Sequence, residues 1–433
     1  MSINEEFKQE INQKSVGIIF FEGTITGLLV ITVAMMLARF MTIDSYGLYT
    51  SSIALLTICS LFCNLGLPNV ATRLYRSLLQ YQNQYKQEVR GLNHSAPLMI
   101  CLVSLTTLII IFILRLADSR SGSILEMWGF AGILILLPLV CINSYLFNCA
   151  NASGGGIRSN LIQGWAGQML SIVTVLLAFF IIKPPLDVIT VAGLHGSVLI
   201  TQLVFLYLLL KKVEPQYLKT GTKIYKVKKW LKEGLPFSIA ALGTSFFFSA
   251  GVVIVGFAMN DPQSAAKLSA ASTFAGILIS IDQGVFSIFF PLFVEATTLK
   301  NKAIIARLNK RWRRAWLLFS IPYLMINIIF GKTLLRVFGD EYVTAYPAMI
   351  ILLIGYIVFV FGQPSQAVYQ FSGNSVTFSK YTYVFAGVAT AGMFIAGRSS
   401  PINGVAIISM LVLNARTLFV VLQSRKILRS WIT

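Results

Sequence analysis

Twelve stretches of this chain are apolar for long enough to cross a bilayer, and its basic residues fall almost wholly on alternate connections between them. A bilayer core about 30 Å thick takes roughly 20 apolar residues as a helix. Hydrocarbon offers no water to an unpaired backbone group, so spanning segments are helices or closed barrel strands. Barrel strands would alternate apolar and polar residues, whereas stretches such as Ile100–Leu114 and Ile350–Phe361 are apolar on all sides. Composition agrees: 56% of residues are hydrophobic and only 12% charged, with a mean hydropathy of +0.75. An all-α integral membrane protein follows.

The expected spans are 16–38, 46–68, 96–115, 127–149, 161–182, 189–210, 235–258, 266–293, 315–331, 346–364, 381–397 and 402–423. Met1–Ser15 is polar and carries Glu5, Glu6, Lys8 and Glu10, so no removable signal peptide is expected. Of the 35 lysines and arginines, 26 fall on the side that holds the N-terminus and eight on the other, with Arg416 inside a span. The excess of positive charge marks the cytoplasmic side, which puts both termini there. The formal charge of +19 is therefore assigned to cytoplasmic loops and anionic lipid headgroups rather than to nucleic acid.

The external connections are short, which leaves no room for a folded domain outside. Midway along the chain, 211–234 holds eight lysines and divides six spans from six. The expected organisation is an N-terminal lobe at 1–210, a basic cytoplasmic linker at 211–234 and a C-terminal lobe at 235–433, in the manner of a transporter built from two parallel repeats.

An ionisable group inside a span is costly and marks a site by default. Glu22 lies in the first span, Asp282 in the eighth and Arg416 in the twelfth, while Arg39 and Arg73 stand at the ends of the first and second spans. A structural salt bridge between Asp282 and Arg416 is the rival explanation for that pair. Interfacial anchoring is the rival for Arg39 and Arg73. Cys59, Cys63, Cys101, Cys141 and Cys149 all lie in apolar spans without metal-ligand context and read as packing residues. His195 in the sixth span reads likewise. Gly154–Gly156 lacks the lysine and the strand–helix setting of a phosphate loop and reads as a turn.

Four segments carry a resemblance. Met36–Tyr49 (MLARFMTIDSYGLY) resembles the signature that closes the first span in polysaccharide-exporting membrane proteins. Asn64–Arg73 (NLGLPNVATR) resembles their D-x-G-l-p-x-x-x-x-R element, with Asn64 in place of the usual acid. Gly234–Phe237 (GLPF) resembles the opening of the second half, and Phe338–Tyr346 (FGDEYVTAY) the FG-x-x-Y-x-x-A element before the tenth span. The chain thus resembles the superfamily of oligosaccharide-lipid flippases and multidrug exporters, and within it the O-antigen repeat-unit flippases of the Wzx type.

The resemblance implies twelve helices in two six-helix lobes around a central cavity, in the bacterial inner membrane, with no catalytic activity. It implies movement of an undecaprenyl-pyrophosphate-linked oligosaccharide from the cytoplasmic to the periplasmic leaflet. Partners on this reading are that lipid-linked cargo, membrane lipids, a polysaccharide polymerase and a chain-length regulator. Arg39, Arg73 and Arg416 become the candidates for binding the pyrophosphate, since a guanidinium bonds two oxygens at once. Glu22 and Asp282 become the candidates for coupling by protonation or sodium binding, with no cofactor. A cation-coupled exporter of small hydrophobic cations is the alternative on the same fold, but it would favour more acids than bases. An envelope polymerase or ligase would need a large external loop with catalytic residues.

Overall fold

The apolar stretches fold as the hydrocarbon demands. The computed structural model describes residues 13–80, 85–117, 124–213 and 222–431; within them every regular element is helical and no strand occurs. The polar segment 1–12, part of the basic linker (214–221) and Arg120 lie outside the described residues. The described residues form fifteen α-helices, of which the first eight are α1 Gln13–Phe40, α2 Ile43–Cys63, α3 Leu67–Gln80, α4 Lys86–Ala117, α5 Ile124–Leu134, α6 Leu137–Ala150, α7 Gly156–Leu161 and α8 Gly167–Ile182. The remainder are α9 Val188–Val213, α10 Val227–Val253, α11 Pro262–Thr298, α12 Lys302–Phe338, α13 Tyr346–Tyr369, α14 Ser375–Ser399 and α15 Asn403–Ser430.

Eleven helical segments among the described residues are long and apolar enough to cross a membrane. The eleventh expected span, 381–397, does form a helix (α14), but serines, threonines and Lys380 dilute its apolar run below the others. Large apolar side chains stand exposed along the spans, among them Leu102, Ile109, Ile113 and Leu114 on α4 and Phe180 and Ile181 on α8. Such continuous exposure suits lipid, not water.

Two segments expected as loops are helices instead. The connection after the second span contains α3, whose Leu67, Val70, Ala71, Leu74 and Leu78 are buried on one face while polar residues occupy the other. The basic run Lys300–Arg314 forms the opening turns of α12, capped by the Asn301 side chain on the Ile304 amide at 3.1 Å. At 1.5 Å per residue, a helix of 37 residues outreaches the hydrocarbon, so its charged end stands in water. The fourth span is not one continuous helix: α5 stops before Pro138, which opens α6 near its first turn where the missing amide is tolerated.

Contacts divide the chain into two units. One is Met36–Ala266; the other joins the described residues up to Met35 with Lys267–Thr433. Compared with the lobes expected from chain order, the first span therefore groups with the later helices and α10 with the earlier ones. The reason for the latter lies in α10's partners: Ser238 donates to the Leu61 carbonyl of α2, and the Ser51 hydroxyl reaches the Val252 carbonyl at 3.4 Å. At the α2–α3 corner, Gly66 has φ +68 and faces the backbone of Gly234 so closely that a Cβ would collide with it.

In the Met36–Ala266 unit the core gathers Leu56, Tyr75, Leu92, Ile100, Tyr145 and Leu206 around the fully buried Trp230. Glu88 ties the described end of the linker to α4. Its carboxylate, only 3% exposed, accepts from Lys226 at 2.8 Å, Lys229 at 3.0 Å and the Trp230 indole N–H at 3.0 Å. The Ile224 amide also donates to the Gln87 carbonyl at 3.0 Å. In the second unit, Trp312 and Trp316 are buried, and the Trp312 indole donates to the Val360 carbonyl at 3.1 Å, joining α12 to α13.

The five cysteines are free thiols, four of them buried, in keeping with a packing role.

Glu88→Ala leaves the buried Trp230 indole without its acceptor and should lower stability by about 2 kcal/mol, read as a fall in melting temperature of the detergent-solubilised protein. Glu88→Gln retains an acceptor and should lose less.

A candidate intramembrane charge site

The second unit holds two buried charges and supplies each with an amide from the same helix. Asp282, 2% exposed on α11, accepts at Oδ2 from the Gln363 side chain at 3.2 Å. Arg416, 1% exposed on α15, donates from Nη2 to the Gln366 Oε1 at 3.4 Å and from Nε to the Thr382 hydroxyl at 3.1 Å. Its guanidinium also lies 4.9 Å from the centre of the Phe378 ring, a distance at which cation–π attraction operates. Gln363 and Gln366 stand three residues apart on α13, so both project from neighbouring positions on one face.

The rival explanation for the two charges does not hold: the Asp282 partner among the described residues is Gln363, not Arg416. The second carboxylate oxygen, Oδ1, is buried and meets no hydrogen-bond donor among the described residues. Such an arrangement leaves one carboxyl oxygen without a donor among the described residues inside a membrane-embedded unit.

Glu22 is half-buried on α1, in the same unit. The adjacent Gly23 packs against Ser280 and Ile281 of α11, and Gly27 against Ile277. Glu22 and Asp282 therefore each lie one residue from the α1–α11 contact, which two small residues make close.

The other two predicted arginines belong to the Met36–Ala266 unit. Arg39 is exposed in the last turn of α1. Arg73, on α3, pairs with Glu233 of α10 across the Gly66–Gly234 corner. That pairing makes Arg73 a brace of the corner as well as a half-exposed cation.

Besides the ion-paired Glu88, this unit buries neutral polar pairs. Asn143 donates to Gln202 at 3.2 Å, and Asn93 bridges Tyr75 at 2.6 Å and Tyr145 at 3.0 Å. Asn64, 7% exposed, holds a buried Oδ1 with no hydrogen-bond partner among the described residues. Helix breaks at Gly154 (φ +100) and Gly373 (φ +90) recur at nearly the same separation along the chain as Asn64-x-Gly66 and Asp282-x-Gly284.

Gln363 and Gln366 are not ionisable and Glu233 lies outside the expected spans, so none of the three stands out as a charge inside a span. The two glutamines have a legible signal: a polar pair three residues apart within an otherwise apolar run. No cluster of three or more metal-ligating acids, histidines or cysteines occurs among the described residues.

The family model described as "Polysaccharide biosynthesis protein" matches residues 13–297. No curated protein matches the sequence. Among solved structures, the chain is similar to an inward-facing multidrug resistance MATE family transporter of the MOP superfamily, at 14% identity and a TM-score of 0.70, covering 93% of this chain and 98% of that one. A MATE protein in the straight conformation gives 15% identity and a TM-score of 0.66, covering 96% of each chain. A point mutant of a Vibrio cholerae MATE transporter gives 13% and 0.66, covering 96% of this chain and 97% of that one. At such identities the likeness establishes the fold. Family and fold together point to a multi-pass membrane transporter and not to a catalytic enzyme. With the model spanning most of its length, the chain belongs to the polysaccharide biosynthesis protein family and adopts the fold of MATE transporters.

Proposed function

We propose that this protein is a flippase that carries an undecaprenyl-pyrophosphate-linked polysaccharide repeat unit, of O-antigen type, from the cytoplasmic to the periplasmic leaflet by alternating access. The observation that carries the reading is membership of a polysaccharide biosynthesis family combined with a transporter fold. The physical need is clear, since sugars and pyrophosphate lose their hydration in hydrocarbon and do not cross it unaided. On this reading the protein sits in the bacterial cytoplasmic membrane with both termini inside, and works beside a polymerase and a chain-length regulator.

The residues fall into two roles. Arg416, planar and braced by Gln366, Thr382 and Phe378, is the foremost candidate for the phosphate groups. Arg39 is the second; Arg73, already paired with Glu233, serves the cargo only by giving up that partner. Asp282 offers its bare Oδ1 to a proton or a sodium ion, and Glu22 on the adjoining helix shares in that coupling.

A second reading is favoured by the solved relatives, which include a multidrug resistance transporter: export of small hydrophobic cations. Deletion of the gene separates the two. The flippase reading expects loss of surface polysaccharide and accumulation of repeat units on the cytoplasmic leaflet. Raised drug sensitivity with polysaccharide intact would replace it by the second.

Residue roles are tested by complementation of that deletion, with the amount of each variant in the membrane measured alongside. Arg416→Ala should lower polysaccharide export by about tenfold or more, the worth of one charge-assisted hydrogen bond. Adding Asp282→Ala should not restore it, because the two side chains do not pair; rescue by the double change would return them to a structural ion pair. Arg416→Lys should also fail, since an ammonium lacks the planar, two-pronged fork.

A further inference from the structure

Within the second unit, α12, α13 and α15 enclose a cavity of about 570 Å³, inside the range of roughly 300–1,000 Å³ usual for small-molecule sites. Its charged lining is of one sign: Lys302, Arg313 and Arg425 contribute to it and no carboxylate does. The Lys302 ammonium is enclosed, with no hydrogen-bond partner among the described residues. A buried cation without an acceptor is costly unless an anion joins it. Three cations around one chamber answer that need with a single multiply bonded anion, for which phosphate has the oxygens.

The rest of the lining says what the anion is attached to. Val358 and Leu418 also border the chamber and are 45% and 59% exposed. They continue into exposed apolar residues of the same helices, Ile354 on α13 and Leu411 and Leu422 on α15. The cations come from the start of α12 and the end of α15, so the charged end of the chamber lies where those helices leave the hydrocarbon. A cationic mouth joined to a greasy wall matches a phosphate headgroup with its acyl chains, not a free ion.

We propose that this chamber binds an anionic phospholipid of the surrounding leaflet, with its phosphate held by Lys302, Arg313 and Arg425 and its chains laid along Val358 and Leu418. The site is formed within one unit and does not rest on the cargo assignment above, so its test leaves export aside.

The full chain, purified in detergent, is titrated with phosphatidylglycerol and, separately, phosphatidylcholine and inorganic phosphate, and bound lipid is counted by native mass spectrometry. Phosphatidylglycerol should be retained in preference to phosphatidylcholine. Lys302→Gln and Arg425→Gln should each weaken that retention about tenfold, one charge-assisted bond apiece. Lys302→Arg should restore it, and Arg311→Gln, which alters an exposed cation outside the chamber, should leave it unchanged. Should Lys302→Gln not fold, Arg425→Gln gives the same reading from an exposed side chain. Equal retention of the two lipids, or equal losses in Arg311→Gln and Arg425→Gln, would overturn the proposal. So would displacement of the lipid by inorganic phosphate at comparable concentration, which would make the chamber a site for a free anion.

Discussion

Hydrocarbon tolerates neither a bare backbone amide nor a bare charge, and every notable feature of this protein answers one of those two prohibitions. The first forces the apolar stretches into helices that satisfy their own backbones. The second confines charge to helix ends, to partners or to enclosed polar chambers. Where helices pass closely, as at Gly23 and Gly27 against α11, association in lipid relies on fit and small residues, since burial of apolar surface earns nothing there.

The two units meet the second prohibition differently. The Met36–Ala266 unit pairs amides and phenols, Asn143 with Gln202 and Asn93 between two tyrosines, and gives its buried carboxylate, Glu88, two lysines and an indole as partners. The other unit places a carboxylate and a guanidinium at comparable burial.

Much of this is readable from the residue order, and the gaps have physical causes. Long uniformly apolar runs announce spans because nothing else in a protein needs them, and Asp282 and Arg416 stand out against that background. Helix α3 and the start of α12 are hidden because a helix lying in water at a membrane edge is rich in polar residues, which on charge counting resembles a loop. The break before Pro138 reads in the sequence as an ordinary proline in a span. The α14 segment drops below its neighbours in apolarity through its hydroxyls. Gln363 and Gln366 carry no charge, so a search for ionisable groups passes over the side chains that hold the charges. Chain order also conceals that the first span and α10 group by contact with the opposite sets of helices, because such grouping depends on long-range packing such as Ser238 on Leu61.

An amide presents a donor at one corner and an acceptor at the other, and α13 uses both: Gln363 gives a hydrogen to the acid, Gln366 receives one from the base. Because the two amides ride three residues apart on a single rod, the solvation of an acid from α11 and of a base from α15 is drawn from one helix, with Thr382 and the Phe378 ring completing the shell of the base.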